Sequence, residues 1–273
     1  MERGHHSFYT SFYNTSPLWS GIYDGLEQFR FPHMDLTTFY LPPVPQNLRL
    51  GHQIEYAFQQ LLSHSEHYRI LVHNLSIDRN KISLGEIDFV LQDMDNGKLV
   101  HVELTYKFYI VTGDFGEAID RQLLGPNKRD SFISKKERIK NHQLPLLYLP
   151  ESVEALHGLK IDVRGSKQQV CFKSQLFIPF GWRSIDLDLG PFDPACIRGN
   201  WIFHKNFNSD GFGAYTYYRP TKSEWPLIPH DEVAWKTYGE IADEISVCIQ
   251  RRTAPMVWIK DGSGALQKMF ILF

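Results

Sequence analysis

Two strand-forming runs joined by a short turn constrain this chain more than any other feature. Leu84 to Gln92 and Leu99 to Val111 are rich in aliphatic, β-branched and aromatic residues, and Asp93-Met94-Asp95-Asn96-Gly97-Lys98 lies between them. Asn-Gly is a strong hairpin signal, because both residues tolerate the positive φ that a tight turn requires. Tyr68 to Ile77 alternates in polarity, is closed by Asp78-Arg79-Asn80, and predicts a third strand. Leu48 to Ser63 precedes it with Ile54, Ala57, Phe58, Leu61 and Leu62 at helical spacing, which gives one apolar stripe.

After the hairpin, Asp114 to Leu124 and Ser131 to His142 read as helices separated by Gly125-Pro126-Asn127, and Leu144 to Leu149 as a short returning strand. This order predicts an α/β fold with a mixed central sheet flanked by helices. The core spans residues 48–150. Ahead of it, residues 1–47 form an aromatic, turn-rich extension, with a short helix between Pro17 and Arg30 and a proline linker at Leu41-Pro42-Pro43-Val44-Pro45. Residues 151–273 form a C-terminal α+β extension packing on the core. It holds paired strands in Lys160–Phe180, a strand at Ile197–Phe207 and an amphipathic helix in Asp231–Arg252. Two last strands, Met256–Ile259 and Gln267–Phe273, flank Asp261-Gly262-Ser263-Gly264.

Composition narrows the function. With 29 Lys+Arg against 31 Asp+Glu the formal net charge is −2, so no global field draws nucleic acid and phosphate contact depends on a local patch. Lys128, Arg129, Lys135, Lys136, Arg138 and Lys140 form such a patch in sequence, with a solvated helix face as the alternative reading. Cys171, Cys196 and Cys248 contain no CxxC pair, which excludes a zinc ribbon and suits a reducing compartment. The first twenty residues lack a signal-peptide core, and no run of about eighteen apolar residues exists. The expected location is the cytoplasm, with no membrane association.

In a strand, residues two apart share a face. Glu86 and Asp88 therefore point one way, and so do Glu103, Thr105 and Lys107 across the turn. Two carboxylates on adjacent strands are hard oxygen ligands suited to Mg²⁺, or to Mn²⁺ in its place. A lysine beside them can orient water and balance charge developing on a phosphodiester. Two other readings stand beside this one: a structural ion-pair network of Asp88, Glu103 and Lys107, and a zinc site from His101, Glu103 and His142. Glu86 reads as a surface partner.

This arrangement resembles the core of the PD-(D/E)XK nuclease superfamily. More narrowly it resembles a bacterial family of unknown function placed there, through Leu84-Gly85-Glu86-Ile87-Asp88, Val102-Glu103-Leu104-Thr105-Tyr106-Lys107-Phe108-Tyr109, and Gly125-Pro126-Asn127 through His142-Gln143-Leu144-Pro145. The resemblance implies a restriction-endonuclease-like core and a Mg²⁺-dependent nuclease acting on nucleic acid, DNA ahead of RNA. Asp88 and Glu103 would hold the metal, Lys107 would stand by the attacking water, Glu55 would assist from the first core helix, and Gln143 would face the site. Lys128, Arg129, Lys135, Lys136 and Arg138 would contact phosphates. Ile87 stands where the superfamily has proline and Thr105 where it has lysine; Lys107 lies about 6–7 Å further along the strand from Thr105. The alternative function is a catalytically inactive module of the same fold that binds nucleic acid or a protein partner.

Overall fold

The computed structural model describes residues 2–38, 40–114, 116–183 and 187–273, with the backbone alone for 2–7. In chain order come helix α1 (Glu2–Asn14), the small hairpin β1 (Ile22–Tyr23) and β2 (Leu26–Glu27), helix α2 (Leu50–Ser63), and strands β3 (Tyr68–Arg79), β4 (Ile82–Asp93) and β5 (Leu99–Val111). Strand β6 (Leu123–Leu124) follows, then helix α3 (Phe132–Arg138), which runs through a π turn (Ile139–Gln143) into α4 (Leu144–Leu146), then α5 (Pro150–Gly158) and β7 (Lys167–Pro179). The chain ends with β8 (Ile197–Phe203), α6 (Ser209–Phe212), β9 (Thr216–Tyr218), α7 (Tyr238–Gln250), β10 (Met256–Lys260) and β11 (Leu266–Leu272).

These elements group into two compact units of two segments each. One holds Met1–Tyr106 with Ser134–Lys173, the other Lys107–Ile133 with Ser174–Phe273. The boundary read from sequence at residue 150 falls inside the first unit, and residues 107–133 go to the second.

In the first unit β3, β4 and β5 form an antiparallel meander. The predicted stripe of α2 is buried in full, and the Phe58 ring lies 4.6 Å from that of Phe89 on β4. Ile87 and Val90 pack with Leu146, Leu147 and Leu156. Gly85 sits at φ +149°, and a Cβ there would lie 3.0 Å from Leu146 Cδ2, so the helix closes on the strand where no side chain stands. The N-terminal segment is tied to β7: Leu18 N–H donates to Phe172 O and Phe29 N–H to Val170 O, both at 2.9 Å. Buried Lys173 donates from Nζ to Tyr13 O at 2.9 Å and Thr15 O at 2.5 Å.

In the second unit the strand order is β5, β7, β8, β11, β10, β9, with β6 paired to β5. Strand β8 is parallel to β7 and β11, while β10 is antiparallel to both its neighbours, so the sheet is mixed. Helix α7 begins at a capping box of Thr237 and Glu240 and buries Ile241 and Ile245 with Val257, Met269 and Ile271. The fold is α/β, a mixed sheet flanked by helices.

Several expected elements change. Pro17–Arg30 holds the β1/β2 hairpin in place of a helix, with Gly21, Asp24 and Gly25 at positive φ; the helix lies upstream as α1. Asp114–Leu124 is a chain of turns with three-residue backbone bonds, such as Arg121 N–H to Ala118 O, ending in β6; Phe115 lies outside the described residues. Leu144–Leu149 is no strand. Its Leu146 and Leu147 finish a helix, and Pro150 opens α5 at its first turn, where a missing N–H costs nothing. Lys160–Phe180 yields one strand, β7, and Asp231–Arg252 is helical only from Tyr238.

Candidate active site

The β4/β5 ladder runs from Gln92 opposite Leu99 to Phe89 opposite Val102. One rung further Asp88 stands across from Glu103. There the pairing passes from backbone to side chain, because Leu104 N–H donates to Asp88 Oδ2 at 2.8 Å. The two carboxyl groups lie close enough for the Glu103 charge to act on Asp88. Glu103 is fully buried and Asp88 half-buried. Burial first, and then the Glu103 charge, push the Asp88 carboxyl up to about 8, while the Leu104 N–H pulls it down. Glu55 adds to the upward push and Lys135 opposes it.

Both oxygens of Glu103 are held. Gln168 donates from Nε2 to Leu144 O at 2.6 Å, and the same Nε2 lies 3.0 Å from His101 Nδ1. A carbonyl only accepts, so the amide nitrogen must face it, and His101 Nδ1 is then the acceptor. The proton of neutral His101 therefore sits on Nε2 and is donated to Glu103 Oε1 at 2.9 Å. On the other side Lys135 Nζ donates to Gln143 Oε1 at 2.9 Å. An ammonium only donates, so Gln143 turns its nitrogen to Glu103 Oε2, at 2.5 Å. His101 is itself fully buried.

The π turn makes the second arm possible. Residues eight apart on an α-helix of 3.6 residues per turn are about 80° out of phase. The wider turn at Ile139–Gln143 takes up an extra residue and returns Gln143 to the face of Lys135.

The residues named from sequence fall in different places. Asp88, Glu103 and Gln143 come together as expected, with Glu55 close enough for its charge to act on Asp88. Lys107 lies in the second unit, where its Nζ pairs with Asp130 Oδ2 at 2.7 Å. The lysine whose charge acts on Asp88 is Lys135, expected from sequence to contact phosphate, and it donates to Gln143. Lys136 is 6% exposed, pairs with Asp24 Oδ2 at 2.9 Å and sits over the Tyr23 ring, so it is withdrawn from a phosphate surface. Lys140 also pairs with Asp24, at 3.0 Å. Arg138 is exposed in the first unit; Lys128 and Arg129 are exposed in the second.

Glu86 is half-buried, with Ser76 Oγ 3.5 Å from its Oε2. The zinc reading fails on His101, whose two ring nitrogens are committed to Gln168 and Glu103. Among the described residues no group of three or more His, Cys, Asp or Glu side chains is placed to hold a metal ion. Sequence reasoning missed Gln168 altogether, since no motif links residue 168 to a strand that ends at 111.

Fold and site define an α/β protein with a pair of carboxylates where two of its strands part. The chain belongs to the family described as Domain of unknown function (DUF1853), whose model matches residues 33–268. No curated protein and no solved structure matches it. Among the described residues no helix is long and apolar enough to cross a membrane.

Proposed function

We propose that this protein is a metal-dependent nuclease that hydrolyses phosphodiester bonds, DNA ahead of RNA, on a core of the PD-(D/E)XK type. The observation that carries the reading is the Asp88–Glu103 pair: two carboxylates one position beyond the Phe89–Val102 pairing, where burial and the Glu103 charge raise the Asp88 carboxyl. A divalent cation relieves that repulsion. The two carboxylates offer hard oxygen donors of the kind Mg²⁺ or Mn²⁺ takes, with the remaining positions left to water and substrate. Each held oxygen of Glu103 keeps a further lone pair for such an ion.

Asp88 and Glu103 would hold the cation, which would supply neutralisation of phosphate charge and a water of lowered pKa. The chain's own residues do the positioning. His101 and Gln143 fix the Glu103 plane from both sides, and Lys135, anchored on Gln143, places a positive charge by the pair. Lys135 thus takes the part that the strand lysine has in the superfamily. The test is cleavage of labelled single- and double-stranded DNA and RNA with Mg²⁺ or Mn²⁺, by the parent and by Asp88→Ala and Glu103→Ala. Cleavage lost in both variants supports the reading, and variants that cut like the parent end it.

One observation favours the alternative, a module of this fold that binds without cutting. Thr105 holds the usual lysine place, with its Oγ1 buried and lacking a hydrogen-bond partner among the described residues. Salt-sensitive binding to nucleic acid with no cleavage under any divalent metal would select it.

A further inference from the structure

The first unit carries a cleft of about 360 Å³, lined by His52, Glu55, Tyr56, His73, Asn74 and Phe89 among others, and its Glu55 is the residue whose charge also acts on Asp88. Its polar groups are aimed rather than scattered. His52 Nδ1 donates to Glu55 Oε2 at 2.9 Å, and Asn74 Nδ2 donates to the same oxygen at 3.2 Å. Both bonds fall on Oε2, which leaves Oε1 as a carboxylate acceptor for the cleft. Asn74 reaches Glu55 from the middle of β3 with φ at +50°, a conformation uncommon within a strand, and the register on either side of it is unbroken. Gln59 Nε2 lies 2.9 Å from His73 Nε2 and holds that ring. Tyr56, His73 and Phe89 line the cleft with rings, the His73 centroid 6.4 Å from that of Phe89.

We propose that this cleft is a base-binding subsite for one unpaired nucleotide of a single-stranded nucleic acid, selective for a base with an exocyclic amino group. The proposal rests on the nuclease reading above and adds the substrate class. A stacked base suits a cleft walled by aromatic and imidazole rings, and a carboxylate accepts from the amino group of cytosine or adenine. Thymine and uracil present a carbonyl at that position, which Glu55 repels. A paired duplex cannot deliver a base into the cleft, so the substrate is single-stranded or has its base flipped out.

The test uses fluorescence anisotropy of labelled hexamers of dC, dA and dT on Asp88→Asn, with free dCMP as a competitor. The dC and dA hexamers should bind about tenfold more tightly than dT, the discrimination expected of one good base-edge contact. Glu55→Gln is the informative second variant. Its amide oxygen can keep the bonds from His52 and Asn74, which turns the free position into a donor, so the preference should vanish or reverse toward dT. Tyr56→Ala should weaken all three hexamers about equally, since stacking tolerates any base. Equal affinity for the three hexamers, no binding at all, a preference unmoved by Glu55→Gln in a variant with unchanged circular dichroism, or displacement by dCMP at hexamer concentrations would each overturn the proposal. Cleavage by the parent is scored separately. Base-selective binding without cleavage would remove the nuclease reading and leave the subsite standing.

Discussion

Lys135 donates to Gln143 Oε1 at 2.9 Å, and that bond decides which end of the Gln143 amide meets Glu103. Gln143→Leu removes the donor from Oε2 of a fully buried carboxylate. The expected loss is about 1–3 kcal/mol of stability, seen as a lower thermal midpoint. Mn²⁺ affinity measured by calorimetry should fall as well, because Glu103 is then free to turn.

The two candidate lysines are separable by activity. Lys135→Met should lower the cleavage rate about 10²-fold or more, the scale on which a positioned charge acts in a reaction of this kind. Lys107→Met breaks a pair with Asp130 in which both partners are roughly a third or more exposed. Such pairs contribute about 0–1 kcal/mol, so cleavage should stay within about fivefold of the parent. The opposite ranking would return the lysine role to β5.

Stability should depend on pH through Asp88. Its carboxyl is raised from 3.8 to about 8 in the folded state, so between these values the folded chain binds the proton more readily than the unfolded one. Stability therefore falls as pH rises through this window. Asp88→Asn keeps an acceptor for Leu104 N–H and has nothing to ionise. In metal-free buffer its advantage over the parent should be absent near pH 4 and grow to several degrees of melting temperature, about 5–10 °C, by pH 9. Parallel melting curves across the range would show that Asp88 titrates normally.

Gly85→Ala should destabilise by about 1–3 kcal/mol, measured by urea denaturation. The new Cβ meets Leu146 Cδ2 at 3.0 Å, and φ at +149° suits glycine. Because Leu146 ends the helix that carries Lys135 and Gln143, metal affinity should fall with stability.

Local patterns in the sequence reached the strands and stopped at the helix that faces them. The runs on either side of Asn96-Gly97 became β4 and β5, Gly97 taking a φ of +72° as the turn requires. Period two placed Asp88 and Glu103 on their strands correctly. It also pointed to Lys107, since it reports only neighbours along one strand and cannot foresee Lys135 arriving from a helix thirty residues later. Leu144–Leu149 misled for a related reason. A six-residue apolar run fits a buried strand or a buried helix end, and packing of Leu146 and Leu147 against Ile87 and Val90 decided it. The Gln168–His101–Glu103 chain joins residues that no spacing rule connects.

The clasp of Lys173 on Tyr13 O and Thr15 O has a consequence for synthesis on the ribosome. The N-terminal segment is made first, yet its anchor is 160 residues downstream of Tyr13. At roughly 5–20 residues per second it waits about 10–30 s for β7 to emerge. During that time Trp19, which is buried in the finished fold with its ring 5.2 Å from that of Phe172 on β7, lacks that cover. A nascent chain halted before residue 167 should thus be a better client for a chaperone that recognises aromatic segments than one released a few dozen residues later.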